Sequence, residues 1–557
     1  MTTNDASPAT DSGEYSHAQI LTILTGLLLG MFLGALDQTI VSTSIRTIAD
    51  DLDGLSVQAW VTTAYLITST IATPIYGKLG DLYGRKKLFM FAISVFIGGS
   101  VLCTFATSMY ELAAFRAVQG IGAGGLFTLV LAIIGDIVSP RERAKYTGYF
   151  MATFATSSVL GPVVGGFFAG QSSLLGVTGW RWVFLVNVPV GVAALVVVYR
   201  TLQLPHRRRE ARIDWWGAVA LVVALVPLLT VAEQGRDWGW GSGRSLTAYV
   251  VGGLGLLAFF CAERAMGDAA LIPLRLFRIR AASVTIFASI AIGAAMFGGI
   301  LILPLYMQIV HGASPTKAGL LMLPMVIGMM SGALLSGRII AATGKTRVFP
   351  RVGSALLVVG LLLLSTTSAD TSLVVIDLFM LVLGLGLGNC MQPLLLIMQS
   401  AVPPSEIGVA TSSATFFRQI GGTLGVAVFL SILFSTVGGH IASAFRDASR
   451  TAEFQAVVAN PTPADAAVLQ NMGGSADQVQ GDSSFIDTLS PALAHPFKQG
   501  FAESMDTVFL LGAGVGLIAF LLLLLMPKVE LRATSAAAAA RASAGGAATT
   551  APAAPRD

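Results

Sequence analysis

Two charges stand deeper in apolar sequence than any others: Asp37, inside LLLGMFLGALDQTIV, and Arg116, inside ELAAFRAVQG. A charge at that depth in hydrocarbon is costly, and it usually faces a cavity and a partner. Burial opposes ionisation of a carboxyl, whereas a nearby guanidinium favours it, so a carboxylate held between the two can gain or lose a proton as its surroundings change. Asp37 is therefore the first candidate for proton carriage, with Arg116 as its partner. A static structural ion pair is the alternative. Asp377 is a second candidate, although it sits close to the outer interface, where it could be simply solvated. His17, His206, His311, His440 and His495 all fall outside the apolar runs, which leaves proton chemistry to carboxylates.

These charges need elements to hold them. The chain has 557 residues, 54% hydrophobic and only 11% charged, against about a quarter charged in an ordinary soluble domain. So apolar a chain needs lipid as its solvent, where every backbone donor and acceptor must be satisfied within helices or a closed barrel. Apolar runs of about 20 residues are twice the length of a tilted barrel strand, so the spans are helices. Runs between charged or turn-rich breaks give about fourteen of them. The fold class expected is an all-α polytopic membrane protein.

Basic connections fall on alternate loops: GRKK (84–87), SPRERAK (139–145), LPHRRREAR (204–212), PLRLFRIR (273–280) and GKTRVFPR (344–351). The positive-inside rule puts them in the cytoplasm, with both termini on that side of the inner membrane. The N-terminus has no basic run ahead of an apolar one, so no cleavable signal is read. Cys103, Cys261 and Cys390 lie in apolar runs and read as small apolar residues. The Ala-rich end of the chain reads as a disordered tail.

Two stretches recur. GKLGDLYGRKK (77–87) aligns with GRIIAATGKTR (337–347), matching Gly77 with Gly337 and Gly84 with Gly344; Glu142 to Gly161 has the same spacing as Glu406 to Gly425. Two parallel halves of six spans with an inserted pair explain both matches, the layout of carriers in which one half rocks against the other. The parts are then roughly a tail 1–17, a six-helix bundle 18–200, a linker with two inserted helices 201–280, five helices of a second bundle 281–437, an outer loop 438–503, the last helix 504–526 and a tail 527–557.

The segment 77–87 resembles the loop between spans two and three of the major facilitator superfamily. LDQTIVSTSIRTIADDL (36–52), RAVQGIGAGG (116–125) and GPVVGG (161–166) resemble span motifs of its fourteen-span drug:proton antiporter class. The resemblance implies the major facilitator fold: two six-helix bundles plus two inserted helices. Gly77 and Gly84 suit a tight reversal. The resemblance further implies that Asp81 faces a helix N-terminus of the other half near Ser405, where the dipole favours an anion. Arg85 would pair with Asp136, and the set would latch the outward-open state. In GPVVGG, Pro162 breaks one helical hydrogen bond while Gly161, Gly165 and Gly166 allow close approach, which suits a joint between the halves or ordinary tight packing.

For a substrate cavity, Gln119, Met325, Asn389, Gln392, Phe417 and Arg418 are the candidates, since flexible methionines and amides suit a promiscuous apolar site. GKT at 344–346 lacks phosphate-loop spacing, because Ile339 stands where a glycine is required. No Cys/His metal cluster is visible, so neither an enzyme, a cofactor nor a metal is expected. The expected activity is export of small amphipathic molecules or drugs in exchange for protons. A dedicated exporter of one self-made metabolite or lipid, or a non-transporting scaffold or sensor, are the alternatives. The expected partners are small-molecule substrates, protons and the lipid bilayer, without nucleic acid, and the protein is expected to be a monomer. The loop 438–503 either passes substrate to a periplasmic or cell-wall partner or is a passive connector.

Overall fold

A computed structural model describes residues 16–52, 59–139, 142–202, 214–313, 315–470, 484–529 and 531. The expected tails, the linker 203–213 and residues 471–483 lie outside them, apart from short stretches beside the first and last helices.

The chain is built from helices. The first group is α1 (His17–Asp51), α2 (Ala59–Tyr83), α3 (Arg85–Cys103), α4 (Met109–Ile137), α5 (Arg143–Ala169), α6 (Trp182–Leu185) and α7 (Asn187–Thr201). An inserted pair follows, α8 (Trp215–Trp238) and α9 (Gly243–Met266). The second group is α10 (Arg280–Ile309), α11 (Pro315–Leu321), α12 (Leu323–Thr343), α13 (Val348–Leu364), α14 (Leu373–Ser400), α15 (Ile407–Ala448), α16 (Ala452–Ala459), α17 (Pro463–Gln470) and α18 (Pro491–Leu524). Eleven described helical stretches are long and apolar enough to cross a membrane by length and composition. The Ser/Thr-rich α2 and α5 run between them as further long helices, and α13 is a shorter apolar one.

Local chemistry sets the ends. Ser16 and Gln19 form a reciprocal capping box at α1, and Ser108 accepts the N–H of Glu111 at the start of α4, each satisfying otherwise orphaned helix donors. Gly84 (φ 94°) and Gly344 (φ 69°) turn the chain through backbone conformations that a side chain resists. These are the two glycines that the repeat aligns.

Packing repeats as well. Within the first group α2 packs on α4, α3 on α4, α1 on α5, α1 on α7 and α3 on α7. Within the second, α12 packs on α14, α13 on α14, α10 on α15, α10 on α18 and α13 on α18. The halves meet through α2 on α15 and α5 on α12, which are the same contact under that correspondence. The inserted pair packs on itself and touches α2 and α15 from outside.

The expected outer loop 438–503 is much shorter than its sequence suggests. The helix expected to stop at 437 continues to Ala448, and the one expected to start at 504 begins at Pro491. The reason is an aromatic cluster: Phe445 packs edge-on against Phe497 and Phe454, and Phe485 against Phe497. Burial of those rings holds both extensions as helix and folds α16 onto them.

Candidate functional site

Asp37 lies twenty residues into α1, about 30 Å along it, and Arg116 lies seven residues into α4 from the opposite end. Both are fully buried. Arg116 Nη1 donates to Asp37 Oδ2 at 2.5 Å, and Gln119 Nε2 and Asn187 Nδ2 each donate to Asp37 Oδ1 at 2.8 Å. Gln119 also accepts from Arg116 at 2.7 Å and donates to Ser100 Oγ at 2.7 Å. The guanidinium stacks over the Tyr65 ring, 4.1 Å from its centroid. One carboxylate thus gathers a cation and two amides from α4 and α7, with Ser100 of α3 behind them. Close helix approach makes this possible: a β-carbon at Gly99 would stand 2.6 Å from Gln119 Cα. Such a network is worth more than isolated pairs, because each donor polarises the next and all of the groups are buried.

At the basic end a second set of charges joins the halves. Asp81 pairs with Arg85 at 2.9 Å, and Arg85 pairs with Asp136 at 2.9 Å. Arg85 also donates to the carbonyl of Ala132. Across the seam, Asp81 Oδ2 accepts the backbone N–H of Val409 at 3.0 Å, in the first turn of α15. A carboxylate there meets the positive end of the helix dipole and a free N–H. The seam is tight. A β-carbon at Gly77 would stand 2.1 Å from Ser412 Oγ, and one at Gly408 would stand 2.2 Å from Asp81 Oδ1. Gln399 bonds Thr411 at 2.7 Å beside Gly135, and farther along, Thr73 donates to Gln419 at 3.2 Å.

The sequence profile described as Major Facilitator Superfamily matches residues 27–426. The chain belongs to the Major Facilitator Superfamily. It is similar to the multidrug transporter protein MdtP of Bacillus subtilis, 36% identical over 425 residues, which cover 76% of this chain and 77% of that one. It is also similar to Multidrug resistance protein 3 of Bacillus subtilis, 32% identical over 531 residues, covering 94% and 98%. Its architecture is similar to that of the proton:xylose symporter XylE bound to 6-bromo-6-deoxy-D-glucose, with a TM-score of 0.58 over 95% of this chain and 100% of that one. At 16% identity this is a likeness of fold alone. As a superfamily member the chain is an all-helical, multi-pass membrane transporter of small molecules and not an enzyme.

Within that superfamily fold, the residues read from the sequence separate. Asp37 and Arg116 stand together, and Gln119 belongs to their network. Asp377 is four residues into α14, in the other half, away from Asp37. Asp81, Arg85 and Asp136 form one chain of contacts, and the partner of Asp81 in the second half is Val409, in the first turn of the helix that starts just after Ser405. Gly161 and Gly165 lie in the seam between α1 and α5, where β-carbons would stand 2.0 Å from Thr39 Oγ1 and 2.8 Å from the Ile40 carbonyl. They pack the first half internally. A β-carbon at Gly166 would meet nothing within 4 Å, and Pro162 lies within α5.

The cavity residues are not one group. Met325 and Asn389 are buried between helices of the second half: Gly384 packs on the Met325 carbonyl, and Asn389 bonds the Leu385 carbonyl of its own helix. Phe417 packs edge-on against Phe277 and Phe416. Gln392 and Arg418 keep accessible surface. The sequence reading missed Asn187, Ser100 and Tyr65. A polar residue alone in an otherwise apolar run was the signal available for Ser100 and Asn187.

Proposed function

We propose that this chain is a proton-driven exporter of small amphipathic molecules across the cytoplasmic membrane, with fourteen spans, both termini inside, and the basic end of the bundle facing the cytoplasm. The observation that carries the reading is the fully buried Asp37 carboxylate paired with Arg116 inside the first half. In its present state the carboxylate accepts from one cation and two amide donors. To accept a proton it must lose Arg116, whose Nη1 already reaches Gln119 Oε1 at 2.7 Å. A small rotation of α4 against α1 therefore exchanges one partner for another, and protonated Asp37 is then neutral in a dry site. Ionised and protonated forms prefer different helix positions, and that difference is the coupling a carrier needs.

Contacts at the basic end support a closed cytoplasmic gate in this conformation. Asp81, Arg85 and Asp136 hold α2 to α4, and Asp81 reaches Val409 of the other half. Opening the gate breaks the Val409 bond and separates Gly77 from Ser412. With one proton, a potential of 100 mV contributes about 2.3 kcal/mol per charge moved, enough for appreciable accumulation outside.

The test is transport in proteoliposomes with a panel of cationic, anionic and neutral amphiphiles, with and without an imposed pH gradient. Gradient-dependent movement of at least one member is expected. Movement indifferent to the gradient throughout the panel defeats the proton-driven reading.

A further inference from the structure

Arg418 is a cation in the middle of a membrane helix, with no counter-charge among the described residues. It lies eleven residues past the start of α15 at Ile407, about 16 Å along the axis and so near the middle of a hydrocarbon core about 30 Å thick. Arg116, the other deep arginine, has a carboxylate, an amide and an aromatic face. Among the described residues Arg418 has no hydrogen bond, ion pair or ring contact from its guanidinium, yet it is not sealed away, for the side chain keeps accessible surface. Its backbone is fixed: a β-carbon on Gly293 of α10 would stand 2.1 Å from the Arg418 carbonyl, so α10 and α15 touch at this level. The neighbouring Gln419 accepts from Thr73 of the first half. Arg418 thus stands at the depth of a polar contact that joins the halves, on a helix of the gate.

An unpaired guanidinium at this depth is expensive, and intramembrane arginines ordinarily have a counter-charge. The planar fork of five donors matches a carboxylate better than any neutral group. We propose that Arg418 recognises an anionic substituent, a carboxylate, on the exported molecule, and that amphipathic organic acids are a substrate class of this transporter. The inference rests on the exporter reading and adds the charge of the cargo. It also gives the two arginines separate tasks: Arg116 holds the coupling carboxylate of the protein, and Arg418 holds that of the cargo.

The experiment is equilibrium binding to the full chain in lipid nanodiscs, with no gradient. The probes are benzoate, 2-naphthoate and 4-octylbenzoate, each with its neutral methyl ester. In the wild-type protein at least one acid is expected to bind about ten- to a hundred-fold more tightly than its ester, the range of a charge-assisted hydrogen-bonded pair. Arg418→Gln should abolish that preference while leaving ester affinity within about two-fold, and Arg418→Lys should keep part of it, since a point charge remains without the fork. Absence of acid preference in the wild-type protein, across all three pairs, overturns the proposal. So does a preference that survives Arg418→Gln in a protein that still elutes as a single folded species. Because no proton gradient enters the measurement, a protein that prefers acids but fails to pump them contradicts the exporter reading and not this assignment.

Discussion

Replacing Asp37 by Asn is the most informative single change, because it removes a charge and almost no volume. In the wild-type protein Asp37 accepts from Arg116, Gln119 and Asn187. Asparagine keeps one acceptor for the amides, but its NH2 group turns a donor toward donors, and it leaves the Arg116 guanidinium without a counter-charge. The Arg116 side chain is only 2% exposed, so water cannot make up the loss. Breaking a buried pair from one side costs about 3–5 kcal/mol, most of it the penalty of the stranded charge. The neutral double variant Asp37→Asn/Arg116→Gln removes that charge and should recover to within about 1–2 kcal/mol of wild type, since replacing both partners is close to neutral. Equilibrium unfolding in mixed micelles on the four proteins of the cycle gives the coupling energy. A coupling of at least about 2 kcal/mol is expected for residues in one network. If Asp37→Asn lies within about 1 kcal/mol of wild type, or the double variant sits at the sum of the singles, the pair is not the isolated, dry unit described here.

Other consequences follow from particular contacts. Gly77→Ala places a methyl 2.3 Å from Ser412 Cβ and should hold the basic end open; cysteine accessibility at the exposed Tyr83 should rise, and Ser412→Gly should restore it, whereas unchanged accessibility rejects the tight seam. Asp81→Ala removes the acceptor for the Val409 N–H and should slow turnover while sparing equilibrium binding; an unaltered transport rate rejects the latch. Asn187→Ala removes one donor to Asp37 and should destabilise by about 1–3 kcal/mol, with a larger effect on proton coupling than on binding. In the cap formed by α16 and α17, burial pushes the Asp465 carboxyl up, but hydrogen bonds from the Ser490 N–H and from Thr462 outweigh it and hold the carboxyl below its ordinary range. Its folded form is thus the more acidic one. The cap has its full stability above the ordinary carboxyl range and loses it as pH falls toward the folded value. Hydrogen exchange at the start of α18, corrected for intrinsic rate, should speed up between pH 5 and pH 3, about the carboxylate range, and Asp465→Asn should remove that dependence.

Much of the architecture was legible because lipid simplifies the code. A charge inside an apolar run stands out, so Asp37 and Arg116 could be paired before any geometry was known. The repeat showed through Gly84 and Gly344, because only certain residues tolerate the backbone turn that both positions require. The partners that complete the Asp37–Arg116 network were less visible. Ser100 and Asn187 come from α3 and α7, and nothing in their local sequence says that those helices converge on α1. Met325 and Asn389 carry a related ambiguity. In a span, methionines and amides serve helix packing as readily as a cavity, and the choice depends on which face meets a neighbour. The cap of α16 and α17 was hidden because the sequence 438–503 is rich in small polar residues, whereas four phenylalanines far apart in sequence decide its fold. The start of α15 lies just past Pro403 and Pro404, which sets, close to Ser405, the helix N-terminus that Asp81 meets.

The most direct test is proton release on substrate binding, read with a pH-sensitive dye in weakly buffered detergent solution, on the wild-type protein and on Asp37→Asn. Any amphiphile that binds both proteins serves as the probe. A burst of protons from the wild type that is absent from the variant is the result expected if Asp37 exchanges its proton for cargo. Equal release from both proteins contradicts it.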